Sequence, residues 1–383
     1  MRRILDLLEK ESKRVVGLMS GTSADGIDAA LVEISGHGSS SRVLLKRFES
    51  FPYPQDIRDR VLNLPSANAR EICEMNFIVG RHFAEAACAL LEADSPRIDL
   101  VGSHGQTVCH IDPRQDATPS TLQIGEGSVI AEATGAIVIC DFRTRDIAAG
   151  GSGAPLVPYA DYLLFREEGR VRALQNIGGI ANVTVVPDRA DGVFAFDTGP
   201  GNMVIDHVAR TFSEGKQQYD PGGELAGRGQ ADARLLGELL DHPYLRLSPP
   251  KSTGREDFGR EFADEVIRRH GSRRPEDILA TATLLTAASI HQAYENFVFP
   301  RTRIDEVLVS GGGVFNQTLM RALEERFDPI PVRNLAEVSE IGPESKEAVA
   351  FAILANEAIH GHATGLPAVT GASRPVVLGK LVV

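Results

Sequence analysis

The sequence predicts an α/β protein of two lobes that repeat one order of elements, each lobe a mixed sheet flanked by helices. Two observations carry this prediction. With 383 residues, the chain is too long for one ordinary core, since domains hold about 100 to 200 residues. A glycine-rich turn between two apolar runs occurs in each half, within residues 15–34 and 173–186, and this is the pattern of a β-hairpin. We expect one lobe over residues 1–150 and the other over residues 151–383.

The first lobe continues beyond its hairpin with alternating strands and helices, as its apolar periodicity indicates. In chain order these are strand 42–51, helix 71–92, strand 100–102, strand 121–124, helix 127–134 and strand 136–140. Polar residues 103–107 are expected to form a loop after the third of these elements. Residues 147–158 are rich in glycine and proline, which predicts the loop that closes the lobe.

The second half repeats this order. Its hairpin is followed by strand 192–196, helix 203–211, a helix-rich stretch to residue 299, strand 305–309 and a closing helix 345–360. The repetition predicts two domains of the same βββαβα type.

The composition argues against several classes of protein. The net charge of −12 and the pI of about 5.4 disfavour a nucleic-acid or an anionic-membrane partner. Residues 1–14 are charged and lack the apolar core of a secretory signal, and no apolar run approaches the ~18 residues that span a bilayer. We therefore expect a cytoplasmic protein.

The four cysteines predict neither a zinc site nor a disulfide framework. They are Cys73, Cys88, Cys109 and Cys140, which show no CxxC spacing and lie within apolar segments. We expect buried, unreactive thiols.

The two glycine turns can hold phosphate. Glycine lets the backbone approach an anion closely and point amides at it, and Thr22, Ser23 and Thr184 add hydroxyl donors. Two such tips facing each other across a cleft would hold a nucleoside triphosphate.

Seven segments in this order carry a resemblance to known proteins. They are residues 19–28, 103–108, 141–143, 148–151, 153–158, 176–182 and 196–202. The duplicated order resembles the actin, sugar-kinase and Hsp70 superfamily, which implies a two-lobed actin-like, ribonuclease-H-like ATPase fold. The seven segments look like those of the anhydro-N-acetylmuramic acid kinase family. Ser152 and Ala24 depart from the family pattern, where we expect glutamine and a larger residue.

The resemblance implies a cytoplasmic, homodimeric kinase of bacterial cell-wall (peptidoglycan) recycling. Such an enzyme uses ATP and water to open the 1,6-anhydro ring of anhydro-N-acetylmuramic acid while it phosphorylates O6. The product would be N-acetylmuramic acid 6-phosphate.

Asp197 is the expected catalytic base, because it follows an apolar strand and a carboxylate can take a proton from an attacking water. The alternative is an aspartate that begins a turn or caps a helix. Asp25 beside the first turn could hold Mg²⁺, directly or through water. It could equally be the aspartate of an Asp-Gly hairpin turn.

The remaining expected nucleotide contacts come from glycine turns and their neighbours. They are Gly21, Thr22, Ser23, Gly26 and Asp28 in the first half, and Gly178, Gly179 and Asn182 in the second. Gly311, Gly312 and Gly313 with Asn316 are expected on the adenosine side, at a helix N-terminus. The alternative for these glycines is tight packing of strand on helix.

The expected sugar contacts are polar groups that follow strand ends. They are Gln106, Glu126, Asp141, Arg143 and Glu347. Arg143 offers a bidentate fork to a carboxylate, although an internal Arg–carboxylate pair that fixes loops would also explain it. Glu347 could instead serve the helix dipole. Residues 251–256 predict a solvated polar loop or a lid over the sugar, and His104 predicts a hydrogen-bonding loop residue.

Two other functions remain open from the sequence. One is an ordinary sugar hydroxyl kinase of the same superfamily, in which a substrate hydroxyl replaces water as the nucleophile. The other is a non-catalytic module that opens and closes with nucleotide to hold a partner.

Overall fold

The chain folds into two compact units, described here from a computed structural model that covers residues 2–91, 97–111, 117–270 and 274–383. Unit 1 consists of Met1–Leu164 and Glu340–Val383, and unit 2 consists of Phe165–Ser339. This partition differs from the expected lobes in two segments, residues 151–164 and 340–383, which belong to unit 1. The C-terminal segment joins unit 1 because its long helix packs on the first sheet.

Unit 1 contains a mixed sheet of seven strands. They are β1 (Ser12–Ser20), β2 (Gly26–Ser35), β3 (Arg42–Pro52), β4 (Leu100–Ile111), β5 (Ser120–Ile124), β6 (Ile137–Cys140) and β12 (Lys380–Val382). Their order is β12-β6-β4-β1-β2-β3, with β5 paired to β4. The first three strands form an antiparallel meander, whereas β4 and β6 continue the sheet in parallel.

Unit 2 contains a sheet of five strands with the same plan. They are β7 (Arg172–Ile177), β8 (Ile180–Val186), β9 (Phe194–Pro200), β10 (Glu306–Ser310) and β11 (Val332–Asn334). Their order is β11-β10-β7-β8-β9, with an antiparallel meander of three strands followed by two parallel strands. The same sequence of pairings in both units confirms the expected duplicated mixed-sheet fold of actin-like type.

Helices cover the first sheet. In unit 1 they are α1 (Arg2–Leu8), α2 (Gln55–Asn63), α3 (Ala69–Ala89), α4 (Gly127–Thr134), α5 (Thr144–Ala148), α6 (Pro158–Phe165), α14 (Pro343–Ile359) and α15 (Pro367–Thr370). The division between the units falls within α6. Helix α14 lies directly on β1, β2 and β4. It can do so because glycine faces it: a Cβ at Gly17 would lie 1.8 Å from the Ala348 carbonyl oxygen, and one at Gly102 would lie 2.1 Å from that of Phe351.

Unit 2 is richer in helices. They are α7 (Asn202–Phe212), α8 (Ala233–Leu240), α9 (Pro243–Arg246), α10 (Arg255–Phe258), α11 (Arg260–Arg269), α12 (Pro275–Ala293) and α13 (Gln317–Phe327). Helix α12 is buried along nearly its whole length, because it packs on α7, α8, α13 and β9. None of the helices within the described ranges is both long and apolar enough to cross a bilayer.

Most predicted elements are observed, with three local differences. The predicted helix 71–92 is α3, which spans 69–89, and residue 92 lies outside the described residues. The predicted loop 103–107 is the middle of β4, where Gly105 has a φ of +76°. The strand predicted to end before Asp197 continues to Pro200, so Asp197 lies within β9.

The prediction of buried thiols is wrong for three cysteines. All four are free, but Cys73, Cys88 and Cys109 are exposed and only Cys140 is largely covered. Burial raises the pKa of Cys140 to about 12. The apolar neighbours in sequence misled the prediction because Cys73 and Cys88 occupy the solvent side of an amphipathic helix, α3.

Candidate active site

The first glycine turn joins β1 to β2 in unit 1. Its base is held by Gln106, whose Nε2 donates to the Gly21 carbonyl oxygen at 3.0 Å. Ser20 Oγ lies 2.7 Å from Gln106 Oε1 and 2.7 Å from the Gly26 carbonyl oxygen. The tip is open, since Thr22 and Ser23 are exposed. The turn therefore presents hydroxyls to solvent on a fixed base.

Gln106 was expected to contact the sugar, and in the structure its side chain supports the first glycine turn. Its side chain is buried, and both of its polar atoms bond within the protein. Gly26 also has a packing reason: a Cβ there would lie 2.5 Å from the Phe51 carbonyl oxygen. A Cβ at Gly21 would meet nothing closer than 3.7 Å. Packing therefore accounts for Gly26 but not for Gly21.

Arg143 and His104 form a buried pair in unit 1. Arg143 Nε donates to His104 Nε2 at 2.9 Å, and Arg143 Nη1 donates to the Gly153 carbonyl oxygen at 2.8 Å. Because Nε2 must accept, His104 carries its proton on Nδ1, which lies 2.8 Å from the Gly105 carbonyl oxygen. Burial, and then Arg143, lower the pKa of His104 to about 3. His104 is thus a neutral residue of β4 that orients Arg143, and its predicted hydrogen bonding is observed in a strand and not in a loop.

Two carboxyl groups interact electrostatically in unit 1. Loss of hydration raises the pKa of Asp28 and of Glu347, and the charge of Asp28 raises that of Glu347 further. Arg143 acts in the opposite direction on Glu347, while burial lowers the pKa of Arg143 itself to about 10. Asp28 Oδ1 accepts a hydrogen bond from Ser50 Oγ at 2.5 Å. The structure therefore brings Asp28, Arg143 and Glu347 into one electrostatic group.

Glu126 and Asp141, also expected at the sugar, have structural partners. Glu126 Oε1 accepts from Ser128 N at 3.0 Å and so caps α4, and its Oε2 accepts from Asn76 Nδ2 at 3.1 Å. These bonds lower the pKa of Glu126. Asp141 Oδ2 lies 2.8 Å from Lys380 Nζ. Their contact with a sugar stays a prediction.

Asp146 is a buried carboxylate that the sequence prediction missed. Its Oδ2 accepts from Gly153 N at 2.8 Å, and its Oδ1 accepts from Thr370 Oγ1 at 2.8 Å. Gly151 must be glycine here, because a Cβ would lie 2.2 Å from Asp146 Oδ2. Asp146 thus fixes the glycine-rich loop that also supplies the carbonyl oxygen bonded by Arg143.

Asp197 in unit 2 is oriented by the segment that follows α9. Its Oδ2 accepts from Thr253 N at 2.9 Å, and its backbone N donates to the Lys251 carbonyl oxygen at 3.3 Å. Its own carbonyl oxygen accepts from Tyr244 Oη at 2.8 Å. The register of β8 on β9 shifts beside it, between Ala181 and Asn182. The carboxylate is half-buried and held in one orientation from a rigid strand.

The second glycine turn joins β7 to β8 in unit 2. The Gly178 carbonyl oxygen accepts from Asn202 N at 2.7 Å, and the Gly179 carbonyl oxygen accepts from Gly201 N at 3.0 Å. The turn is therefore tied to the start of α7. Asn182 follows in β8 and is paired opposite Asp197, so one of the expected phosphate contacts lies beside the expected base.

The Gly311–Gly313 run lies between β10 and α13. Gly311 has a φ of +82° and Gly313 packs against Ile177, with a hypothetical Cβ at 2.6 Å, so fold geometry explains both. Asn316 is buried and caps α13 by accepting from Leu319 N at 2.9 Å. Only Gly312 lacks such a backbone or packing demand.

A cavity of about 530 Å³ opens beside this run. It is lined by Val314, Gln317, Met320, Arg321, Glu324, Val332, Arg333, Asn334 and Glu337. Its lining is mostly polar and charged, with three apolar residues, and its size fits a small ligand such as a nucleobase.

Few oxygen donors for a cation lie together in the part of the chain that the structure describes. No group of three or more His, Cys, Asp or Glu side chains suited to a metal ion occurs within the described ranges. Asp25 is exposed and interacts electrostatically with Asp28. Mg²⁺ at phosphate sites is held by one or two carboxylates together with the phosphates. A lone exposed carboxylate such as Asp25 therefore fits a cation whose other ligands come from outside the protein.

Comparison with known proteins gives one consistent result. Residues 13–383 match the family model for anhydro-N-acetylmuramic acid kinase. The chain is 46% identical to the anhydro-N-acetylmuramic acid kinase of Caldanaerobacter subterraneus subsp. tengcongensis, over 100% of both chains. It is also 46% identical to the enzyme of that name from Salinibacter ruber, over 100% of this chain and 99% of the relative.

Solved structures are more distant. An activator of the 2-hydroxyisocaproyl-CoA dehydratase from Clostridium difficile aligns with a TM-score of 0.41 and 12% identity, over 91% of this chain and 96% of that one. A likeness of this strength has no bearing on function. The match to the family model and to the relatives extends over all or nearly all of the chain, so the chain belongs to the anhydro-N-acetylmuramic acid kinase family.

Proposed function

We propose that this chain is an ATP-dependent kinase that hydrolytically opens the 1,6-anhydro ring of anhydro-N-acetylmuramic acid and phosphorylates O6. The products are N-acetylmuramic acid 6-phosphate and ADP, and the process served is peptidoglycan recycling. Membership of the family supports the substrate. The observation that carries the mechanism is the orientation of Asp197, whose carboxylate is held by Thr253 N at 2.9 Å within a strand.

Asp197 is the proposed general base. It takes a proton from water as the water oxygen bonds to C1 of the sugar, and the bond between C1 and O6 breaks. The released O6 bonds to the γ-phosphorus of ATP, and ADP leaves. One base therefore serves both bond changes, because the departing oxygen is trapped by phosphoryl transfer and needs no proton.

The glycine turns are the proposed phosphate contacts. Thr22 and Ser23 offer exposed hydroxyls from a turn whose base Gln106 fixes, and Gly178 with Gly179 forms a turn close to Asp197. We place the adenosine at the cavity beside Gly312, which has room for a base. Mg²⁺, held by the phosphates and by Asp25, would neutralise charge on the phosphates.

Arg143 and Glu347 are the proposed sugar contacts, and Asp28 beside them remains a proposed nucleotide contact. Arg143 uses Nε and Nη1 within the protein, which leaves its Nη2 group to meet the lactyl carboxylate of the sugar. Glu347 lies in the first turns of α14, and its carboxyl group can accept hydrogen bonds from sugar hydroxyls.

An isotope experiment tests the chemistry directly. Turnover in water labelled with oxygen-18 should place the label at C1 of the product, because the proposed nucleophile is water. An ordinary hydroxyl kinase would leave C1 unlabelled, and a non-catalytic module would release no ADP in response to the sugar. Either result would contradict the proposal.

A variant tests the base. Asp197→Asn should lower kcat by about 10²–10⁴ while ATP binding, measured by calorimetry, persists. The matched control is Asp191→Asn, which changes an exposed aspartate of the same unit that pairs only with its neighbour Arg189 among the ion pairs described. Wild-type turnover in Asp197→Asn would remove Asp197 from the mechanism. We also propose a cytoplasmic homodimer, which light scattering after size-exclusion chromatography can test.

A further inference from the structure

Lys251 is a buried cation in unit 2. The sequence predicts a solvated polar loop or a lid over the sugar at residues 251–256, and Lys251 itself is only 6% exposed. Its Nζ lies 4.6 Å from the ring centre of Phe297, 4.8 Å from that of Tyr244 and 5.8 Å from that of Phe196. The Tyr244 and Leu245 carbonyl oxygens lie 3.4 Å from it. We call these three rings and two carbonyls the aromatic cage.

The aromatic cage offsets the cost of burying the charged Lys251 ammonium group. A buried ammonium is costly unless it finds compensating partners, and the faces of aromatic rings together with carbonyl oxygens supply them. Burial lowers the pKa of Lys251 to about 8, while the negative charge of Asp197 acts to raise it. The charges of Lys251 and Asp197 therefore act on each other electrostatically.

Hydrogen bonds and neighbouring positions along the backbone also connect the aromatic cage to Asp197. Tyr244 covers Lys251 with its ring and donates its hydroxyl to the Asp197 carbonyl oxygen at 2.8 Å. Phe196 precedes Asp197 in β9. The backbone of Lys251 accepts from Asp197 N, and two residues later Thr253 N orients the carboxylate. A change in the cage is thus transmitted to the carboxylate.

Other titratable groups near this pair are few and identifiable. Asp257 of α10 accepts from Thr253 Oγ1 at 2.6 Å. His242, just before α9, packs against Phe258, and burial lowers its pKa. The structure describes no bond from either of them to the Asp197 carboxylate, whereas the charges of Lys251 and Asp197 act on each other.

We propose that Lys251 is a positioning residue that keeps Asp197 ionised and ready to accept a proton from water. This inference rests on the proposed function of Asp197 as the base. The charge of Lys251 favours the anionic carboxylate, and the aromatic cage holds that charge where solvent does not screen it. The cost is a weaker base, since the attraction is lost when Asp197 takes the proton.

The test is the dependence of kcat/KM on pH in a coupled ADP-release assay. Lys251→Met keeps the apolar stem of the side chain and removes its charge. Without that charge the pKa of Asp197 should rise, so the acidic limb of the kcat/KM profile should move up by roughly one pH unit. At pH values below the new limb, kcat/KM should be about tenfold lower than in the wild type. Lys251→Arg should keep the wild-type limb even if its kcat falls. The matched control is Lys216→Met, which removes an exposed lysine of the same unit and should leave the profile unchanged.

A second measurement works without a functional Lys251→Met. Electrostatic coupling is reciprocal, so Asp197→Asn should lower the pKa of Lys251, measured by competitive acetylation and mass spectrometry at a series of pH values. An unchanged titration of Lys251, or an unchanged acidic limb in folded Lys251→Met, would overturn the proposal. Full turnover by Asp197→Asn would instead overturn the role of Asp197 itself, so the two failures are distinguishable.

Discussion

Replacing Lys251 should change how the stability of the protein depends on pH. The pKa of Lys251 is lowered from 10.5 to about 8 in the folded protein, and the unfolded chain keeps the ordinary value. Each pKa unit corresponds to about 1.4 kcal/mol, so the charged lysine destabilises the fold by at most about 3 kcal/mol. Residual hydration of the ammonium group screens part of this cost, so about 3 kcal/mol is its upper limit.

The sign follows from proton binding in the two states. Below about pH 8 both states are protonated, and the full cost is present in the wild type. Between about pH 8 and pH 10.5 the unfolded state binds more protons, so the wild-type free energy of unfolding rises with pH. In Lys251→Met this contribution is absent. The difference between wild type and variant should therefore shift by up to about 3 kcal/mol in favour of the wild type as the pH rises.

Urea unfolding followed by circular dichroism measures this difference. Both proteins are unfolded at several values from about pH 7 to about pH 10.5, and the free energies are subtracted at each pH so that other titrating groups cancel. Lys216→Met serves as the reference, because its lysine is exposed in the folded protein as well. A difference between wild type and Lys251→Met that stays constant over this range would refute the reasoning.

Three other outcomes can be checked with simple variants. Gly17→Ala should lower the free energy of unfolding by about 3 kcal/mol or more, because its Cβ would lie 1.8 Å from the Ala348 carbonyl oxygen; chemical denaturation measures it. Gly21→Ala and Gly178→Ala should leave stability within about 1 kcal/mol but raise the KM for ATP, and an unchanged KM would contradict their role at phosphate. A thiol reagent should modify three cysteines of the native protein rapidly, with Cys140 protected, since the other three are exposed.

The sequence predicted correctly those helices and hairpins whose ends are determined by residues adjacent in the chain. Helix α4 was predicted at residues 127–134 and is observed there. Glu126 caps its first turn, and Gly135 ends it in the left-handed region with a φ of +67°. The hairpins were predicted for the same reason, since their turns and apolar runs are adjacent in the chain. The partition of α14 into unit 1 could not be predicted in this way, because it depends on contacts with β1 and β4.

The candidate site was predicted less completely, because burial is a property of the whole fold. Gln106 has the side chain of a sugar ligand, but its neighbours in space bind both ends of it. Lys251 looks like a surface residue in the sequence because two of the rings around it, Phe196 and Phe297, come from distant segments, and Tyr244 lies in the preceding helix. No pattern within residues 251–256 announces them. A lysine that directly follows the Pro249–Pro250 pair, far in sequence from Asp197, does not indicate a buried cation.

The glycines of the site separate into two groups once the space around them is known. Gly26, Gly311 and Gly313 are needed by the fold, since each would place a Cβ within 2.7 Å of a neighbouring atom. Gly21 and Gly178 have no positive φ, and a Cβ at either would meet nothing closer than 3.7 Å. Glycine at these two positions lowers stability through backbone entropy, and no close packing contact requires it. We therefore propose that glycine is needed at these two turns for the close approach of a ligand to the backbone, as a phosphate-binding turn requires.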